Sequence, residues 1–143
     1  MDYETIFSSV GILSFVGWGA LIASPLKPRI MIRVARAVGI LLAIAYVLLL
    51  GAGWGVEPEV GYGSLAGVMK GMAAPSHMMT GWTHFLAFDL LIGSWMVGRA
   101  QASEINHLLM VPCLAVTFLL GPAGFLLFLA LEAVHKRRTA STS

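Results

Sequence analysis

Residues Thr80–Gly98, TGWTHFLAFDLLIGSWMVG, form a mostly apolar segment of the chain. A helix needs roughly 20 mostly apolar residues to cross a hydrocarbon core about 30 Å thick, and this stretch meets that length. Its one charged residue is Asp89, and three other runs, at residues 5–26, 37–56 and 105–131, contain no Asp, Glu, Lys or Arg. The sequence therefore predicts a bundle of four transmembrane helices at about Ile6–Ala23, Arg36–Gly53, Thr80–Gly98 and Leu108–Leu131.

The overall composition indicates the same class of protein. Of 143 residues, 58% are hydrophobic and 11% are charged, whereas a soluble domain carries about 25% charge. A soluble enzyme, a disulfide-stapled secreted domain and a disordered chain are excluded, and the single cysteine, Cys113, allows no internal disulfide. The net charge is +2, and the basic residues flank the predicted spans. Their position is typical of membrane flanks, so nucleic-acid binding is not needed to explain them. We expect one all-α membrane domain over 1–143 with a polar tail at 132–143.

Two connecting features refine this architecture. Ser64 can cap a short helix in the second loop that runs to about Met72. Gly121-Pro122 lies within the predicted fourth span, where proline should kink the helix or split it into two halves.

The basic residues predict orientation weakly. Five of them, on the first and third loops, oppose four on the other side, which favours both termini outside. The basic tail Lys136–Arg138 argues against that orientation. A break at Gly121-Pro122 that returned the tail would reconcile the two, although nothing in the sequence shows such a return.

Asp89 is the most informative residue because it lies at mid-membrane. An aspartate there costs about 2.5–3.5 kcal/mol on insertion scales, so it needs a partner or a task. It is expected to be protonated unless a basic group lies near. His84 can exchange protons near neutral pH. The two residues differ by roughly 140° around an ideal helix and need not touch.

Aromatic residues near these two residues could wall a pocket for a long apolar ligand, although tryptophans near span ends are usually interfacial. The candidates for contact with such a ligand are Trp82, Phe85, Phe88 and Trp95. No metal site is expected, because the acidic and histidine residues have no ligand spacing typical of one. The acidic and histidine residues concerned are Glu57, Glu59, His77, His84 and Asp89.

The segment Gly81–Leu90, GWTHFLAFDL, resembles the signature of the abscisic-acid-deficient-four-like membrane proteins. Ser64–Val68 is similar to their second-loop motif, Gly121–Gly124 to the turn of their last helix, and Trp18–Pro25 to the end of their first helix. The resemblance implies a four-helix integral membrane protein. Plant members are plastid proteins needed to form neoxanthin from violaxanthin. In that conversion a carotenoid epoxide opens to an allene.

The resemblance implies a membrane isomerase, or its accessory factor, that acts on a carotenoid or another long isoprenoid without a redox cofactor. In that hypothesis His84 is the base and protonated Asp89 the acid. The alternative is a non-enzymatic scaffold that binds pigment or partners. A transporter is disfavoured because the chain has one intramembrane acid and no evident repeat. The expected location is a bacterial inner membrane. The sequence does not decide whether the protein forms a homo-oligomer.

Overall fold

A computed structural model describes residues 2–53, 55 and 61–141. The described residues are helical, with short connections. They form six α-helices: α1 (Tyr3–Ile22), α2 (Pro28–Gly53), α3 (Leu65–Ala73), α4 (Pro75–Ala102), α5 (His107–Leu120) and α6 (Pro122–Ala140).

Helices α1, α2 and α4 form the main bundle. Phe7 contacts Trp82 at one end of α1, and Leu21 approaches Gly93 towards the other, so α1 and α4 run parallel. Helix α2 runs antiparallel to both. Gly39 permits close packing in the bundle, since a Cβ atom there would lie 2.7 Å from the Leu91 side chain.

Two helices, α1 and α2, are long and apolar enough to cross a membrane, judged by length and composition. These helices correspond to the first two predicted spans, although α2 begins earlier than expected, at Pro28. Arg29, Arg33 and Arg36 therefore lie on the first turns of α2 and not in a loop.

The expected short helix of the second loop is present as α3. The Ser64 side chain accepts a hydrogen bond from the Gly67 backbone N–H at 3.1 Å, which caps the helix as predicted. Helix α4 follows directly, because Pro75 fits the first turn of a helix.

The predicted fourth span is not confirmed as one crossing. Helix α5 ends at Leu120, the next residue, Gly121, turns the chain with a φ of +48°, and α6 then runs back beside α5. Gly121, at the turn, lies against Asp89 in the middle of α4. Glu132, further along α6, pairs with Arg99 near the end of α4. The break at Gly121-Pro122 was predicted, and it makes an antiparallel hairpin.

The hairpin gathers charge at one end of the bundle. His107, at the start of α5, lies 3.1 Å from the carbonyl oxygen of Ile22 and so binds the end of α1. The tail of α6 lies at that same end, contrary to the expected separation of the tail from the first loop. Eight of the nine basic residues are here: Lys27, Arg29, Arg33, Arg36, Arg99, Lys136, Arg137 and Arg138. Lys70, on α3, lies at the opposite end.

Candidate functional site

A cleft of about 620 Å³ opens between α2, α3 and α4. It lies at the end of the bundle opposite the basic cluster, next to the second loop. Its walls are mainly apolar, and polar and aromatic side chains converge on it, which is typical of small-molecule sites. The aromatic and polar side chains that line it include Tyr46, Tyr62, His77, Thr80, His84 and Phe85.

His84 is held in this cleft by aromatic rings from two helices. Its imidazole stacks on Phe88 with ring centroids 4.7 Å apart, and Tyr46 meets it edge-on at 5.3 Å. Phe85 makes a second edge-on contact at 5.9 Å. Within the described residues, neither imidazole nitrogen of His84 has a hydrogen-bond partner. The ring is therefore held by stacking, and a neutral imidazole offers one nitrogen that donates and one that accepts a hydrogen bond.

The other polar groups of the cleft differ in availability. The Thr80 hydroxyl donates to the Ser76 carbonyl oxygen at 2.8 Å, as buried helix threonines commonly do. His77 lies 3.2 Å from the Ser76 hydroxyl through Nδ1. Tyr46, by contrast, places a phenol beside His84, and phenols both donate and accept hydrogen bonds. Tyr46 and His84 thus lie next to each other in the cleft, and both side chains can donate and accept hydrogen bonds.

Asp89 is in a different environment. A Cβ atom at Gly121 would lie 3.0 Å from its Oδ1 atom, so the carboxyl group faces the turn between α5 and α6. Gly121 is the N-cap of α6 and offers no side chain to that helix end, where a negative or polar group is favoured. In the part of the chain described, no hydrogen bond or ion pair joins Asp89 to His84.

The four predicted ligand-contacting aromatics are divided among three surfaces. Phe85 and Phe88 surround His84. Trp82 packs on Phe7 of α1, with ring centroids 5.8 Å apart, on another side of α4. Trp95 contacts two phenylalanines of the hairpin, Phe125 at 5.8 Å and Phe128 at 5.9 Å. The structure therefore places two of the four next to the cleft histidine.

Tyr46 and Tyr62 were not among the predicted site residues, and His77 was considered only as a metal ligand. Tyr46 carried a usable signal, because it is the one tyrosine inside a predicted span. Among the described residues, no group of three His, Cys, Asp or Glu could hold a metal ion. Glu57 and Glu59 lie outside the described residues.

Comparison with known proteins gives one match. A family model described as ABA DEFICIENT 4-like matches residues 5–128, which confirms the resemblance found in the signature segment. No curated protein and no solved structure matches the chain. A bacterial source is not supported by these comparisons, and the bacterial inner membrane stays a prediction.

Proposed function

The chain belongs to the ABA DEFICIENT 4-like family, and on that premise we propose that it is a multi-pass membrane protein that binds and isomerises a long oxygenated isoprenoid. The observation that carries this proposal is the contact between Tyr46 and His84 in the α2–α3–α4 cleft. The cleft offers apolar walls for the chain of such a ligand. The imidazole and the phenol supply proton transfer at its oxygenated end.

The proposed membrane arrangement has three crossing helices and one re-entrant hairpin. Helix α4 has 28 residues and extends about 42 Å, enough to cross despite Asp89. Helix α5 has 14 residues and extends about 21 Å, which is shorter than a hydrocarbon core of about 30 Å. The hairpin therefore penetrates from the basic end and returns to it. The excess of basic residues makes that end cytoplasmic.

The reaction implied by the family is a balanced isomerisation. A base removes a proton from carbon, the electron pair of that C–H bond forms a new C=C bond, and the epoxide C–O bond breaks. The epoxide oxygen then takes a proton and becomes a hydroxyl. Neutral His84 is suited to the first step, and the Tyr46 phenol is suited to protonate the oxygen. No electron acceptor is needed.

Asp89 has a separate role in this proposal. Its position against Gly121 favours the stabilisation of the hairpin turn over contact with a ligand in the cleft. The same observation favours a second candidate function, a scaffold that binds pigment without converting it. The earlier hypothesis, in which Asp89 is the catalytic acid, makes a different prediction for its variants.

The test is coexpression with a pathway that accumulates an epoxy-carotenoid, followed by pigment chromatography and pigment analysis of the purified protein. We expect a new isomer with the wild type and a decrease of about 100-fold or more with His84→Gln. Tyr46→Phe should also lose product while it retains bound pigment, and Trp95→Phe is the matched aromatic control outside the cleft. Asp89→Asn should reduce protein yield and leave the product per protein unchanged.

Three outcomes contradict parts of the proposal. Bound pigment with an unchanged profile identifies a scaffold. Loss of turnover in folded Asp89→Asn, with full activity in Tyr46→Phe, restores Asp89 as the acid. Neither bound pigment nor a new isomer with the wild type overturns the isoprenoid assignment.

A further inference from the structure

A second groove of about 440 Å³ lies on the α1 side of α4, away from the cleft that contains His84. It is bounded by α1, α4 and α5 and is almost wholly apolar. Its principal residues are Gly11, Ser14, Phe15, Trp82, Leu86 and Phe118. Gly11 leaves this space open, because a Cβ atom built there meets no atom within 4 Å.

Ser14 is the unusual residue of this groove. It is 1% exposed, and its hydroxyl has no hydrogen-bond partner among the described residues. Other buried helix hydroxyls donate to the carbonyl oxygen four residues earlier, as Thr83 does to Met79 and Thr117 does to Cys113. A buried hydroxyl left unpaired costs about 1–3 kcal/mol, so a partner for it is expected.

A second unpaired donor lies one helical turn away on the same face of α1. The indole Nε1 of Trp18 is buried without a partner in the described part of the chain. The Trp18 ring packs edge-on against Phe118, which itself lines the groove, with centroids 5.5 Å apart. An indole N–H only donates and a serine hydroxyl can donate, so each group suits an acceptor oxygen. Of the two, Ser14 lines the groove.

The depth of Ser14 restricts which molecules can supply that oxygen. Ser14 lies about 17 Å along the helix from Tyr3 and about 12 Å from Ile22, near the middle of α1. Phospholipid ester oxygens lie outside the hydrocarbon core. An ordinary acyl chain therefore brings only methylene groups to this depth and leaves the Ser14 hydroxyl unpaired.

The walls of the groove indicate the shape of the ligand. Phe15 and Phe118 lie 5.7 Å apart, and Trp82 lies beside Phe7. Aromatic faces of this kind pack well against flat conjugated rings. We propose that this groove binds the flat conjugated carbonyl of an apolar membrane molecule, a quinone or cyclic enone, with the carbonyl oxygen accepting a hydrogen bond from Ser14. This site is independent of the proposed isomerase function, because it uses none of the cleft residues.

The test uses a decyl-benzoquinone as the probe and full-length protein in phosphatidylcholine vesicles. Saturable quenching of tryptophan fluorescence gives the Kd, and thermal unfolding with and without the probe gives the stabilisation. We expect Ser14→Ala to weaken binding about three- to tenfold, the usual effect of one hydrogen bond. Decylbenzene, which lacks the carbonyl oxygens, should compete at least about three- to tenfold less well than unlabelled decyl-benzoquinone.

Two further variants separate the binding site from general effects. Gly11→Leu fills open space in the groove and should abolish saturable quenching in a protein that still folds. Ser94→Ala is the matched control, because Ser94 is equally buried but donates to the Leu91 carbonyl oxygen. Tyr46→Phe should bind the probe normally, so failure of the cleft proposal leaves this result intact.

The stability of ligand-free protein supplies an independent check. Without the probe, Ser14→Ala should unfold at the wild-type temperature or above it, because the substitution removes an unpaired buried hydroxyl. Wild-type affinity in Ser14→Ala, or equal competition by decylbenzene, would overturn the proposal. So would lower stability of ligand-free Ser14→Ala, since that result would show that the hydroxyl is already paired within the protein.

Discussion

The sharpest test of the hairpin is the substitution Glu132→Gln. Glu132 is buried on α6, and its Oε1 atom accepts from Arg99 Nε of α4 at 2.7 Å and from Lys136 Nζ at 2.9 Å. Ser103 adds a weaker contact at 3.3 Å. These contacts join the returning helix to the end of α4. A chain in which α5 and α6 crossed as one helix could not form the pair with Arg99.

The expected loss follows from the geometry and the exposure. A hydrogen bond to a charged group contributes about 1.5–3 kcal/mol when it is well shielded. The side chains of Arg99 and Lys136 are 47% and 54% exposed, so water screens both interactions. Glutamine keeps the shape of Glu132, and its amide oxygen can still accept hydrogen bonds, but it lacks the negative charge. We therefore expect Glu132→Gln to lower the free energy of unfolding by about 1–2 kcal/mol.

The effect of Glu132→Gln on stability should also depend on pH in a definite direction. Hydrogen bonds from Lys136 and Arg99 hold the pKa of Glu132 below its usual value of 4.5. The ionised group therefore stabilises the folded state fully above about pH 4.5, and this contribution is lost as the pH falls through the lower folded pKa. The difference between wild type and Glu132→Gln should be present at pH 7 and should diminish below pH 4.5.

The assay is unfolding in mixed micelles followed by circular dichroism, with Glu4→Gln as an exposed control at the opposite end of the bundle. A double-mutant cycle with Arg99→Gln isolates the contact between helices. Zero coupling between Glu132 and Arg99 at pH 7, or a difference that persists undiminished to low pH, would refute the hairpin as described.

The remaining predictions concern the same architecture. Gly124→Ala should destabilise the protein by at least about 1–3 kcal/mol in the same assay, because a Cβ there collides with the backbone of α5. Gly19→Ala, in open space on α1, should be neutral or stabilising, and equal effects would contradict the close approach. Reporter fusions should place the two termini on opposite sides of the membrane, whereas four crossings require the same side. His107→Ala should lower stability by about 1 kcal/mol through loss of its bond to the Ile22 carbonyl, and unchanged unfolding would contradict that bond.

Local signals in the sequence predicted much of the helical architecture. The cap at Ser64 and the break at Gly121-Pro122 both depend on nearby residues, and both are present. The direction of α6 after the break was not predictable, because it depends on contacts between distant residues. Glu132 can pair with Arg99, which lies 33 positions earlier, only when α4 and α6 are packed together.

The candidate site shows the same division between local and distant information. The signature segment identified His84, and the structure places it in a cleft. Its neighbour Tyr46 lies on another helix, so the helical wheel of α4 could not reveal the pair. The hypothesis that His84 is the base and Asp89 the acid rested on the chemistry of the implied isomerisation, and the spacing of the two residues on the helix did not require them to touch.

The position of Asp89 explains why a charge can lie in the middle of an apolar helix without belonging to the cleft. At the start of α6, Pro122 has no N–H and the Gly124 N–H donates to the Gly121 carbonyl oxygen, while Gly121 provides no side chain to cap the helix. Asp89 faces that turn from α4, so an acidic group lies where the helix end favours one. A negative or polar side chain at this place favours a helix end that has no side-chain cap. On this reasoning Gly121 and the half-buried Asp89 side chain form one structural unit, which is why we propose His84 and Tyr46, and not Asp89, for the chemistry of the cleft.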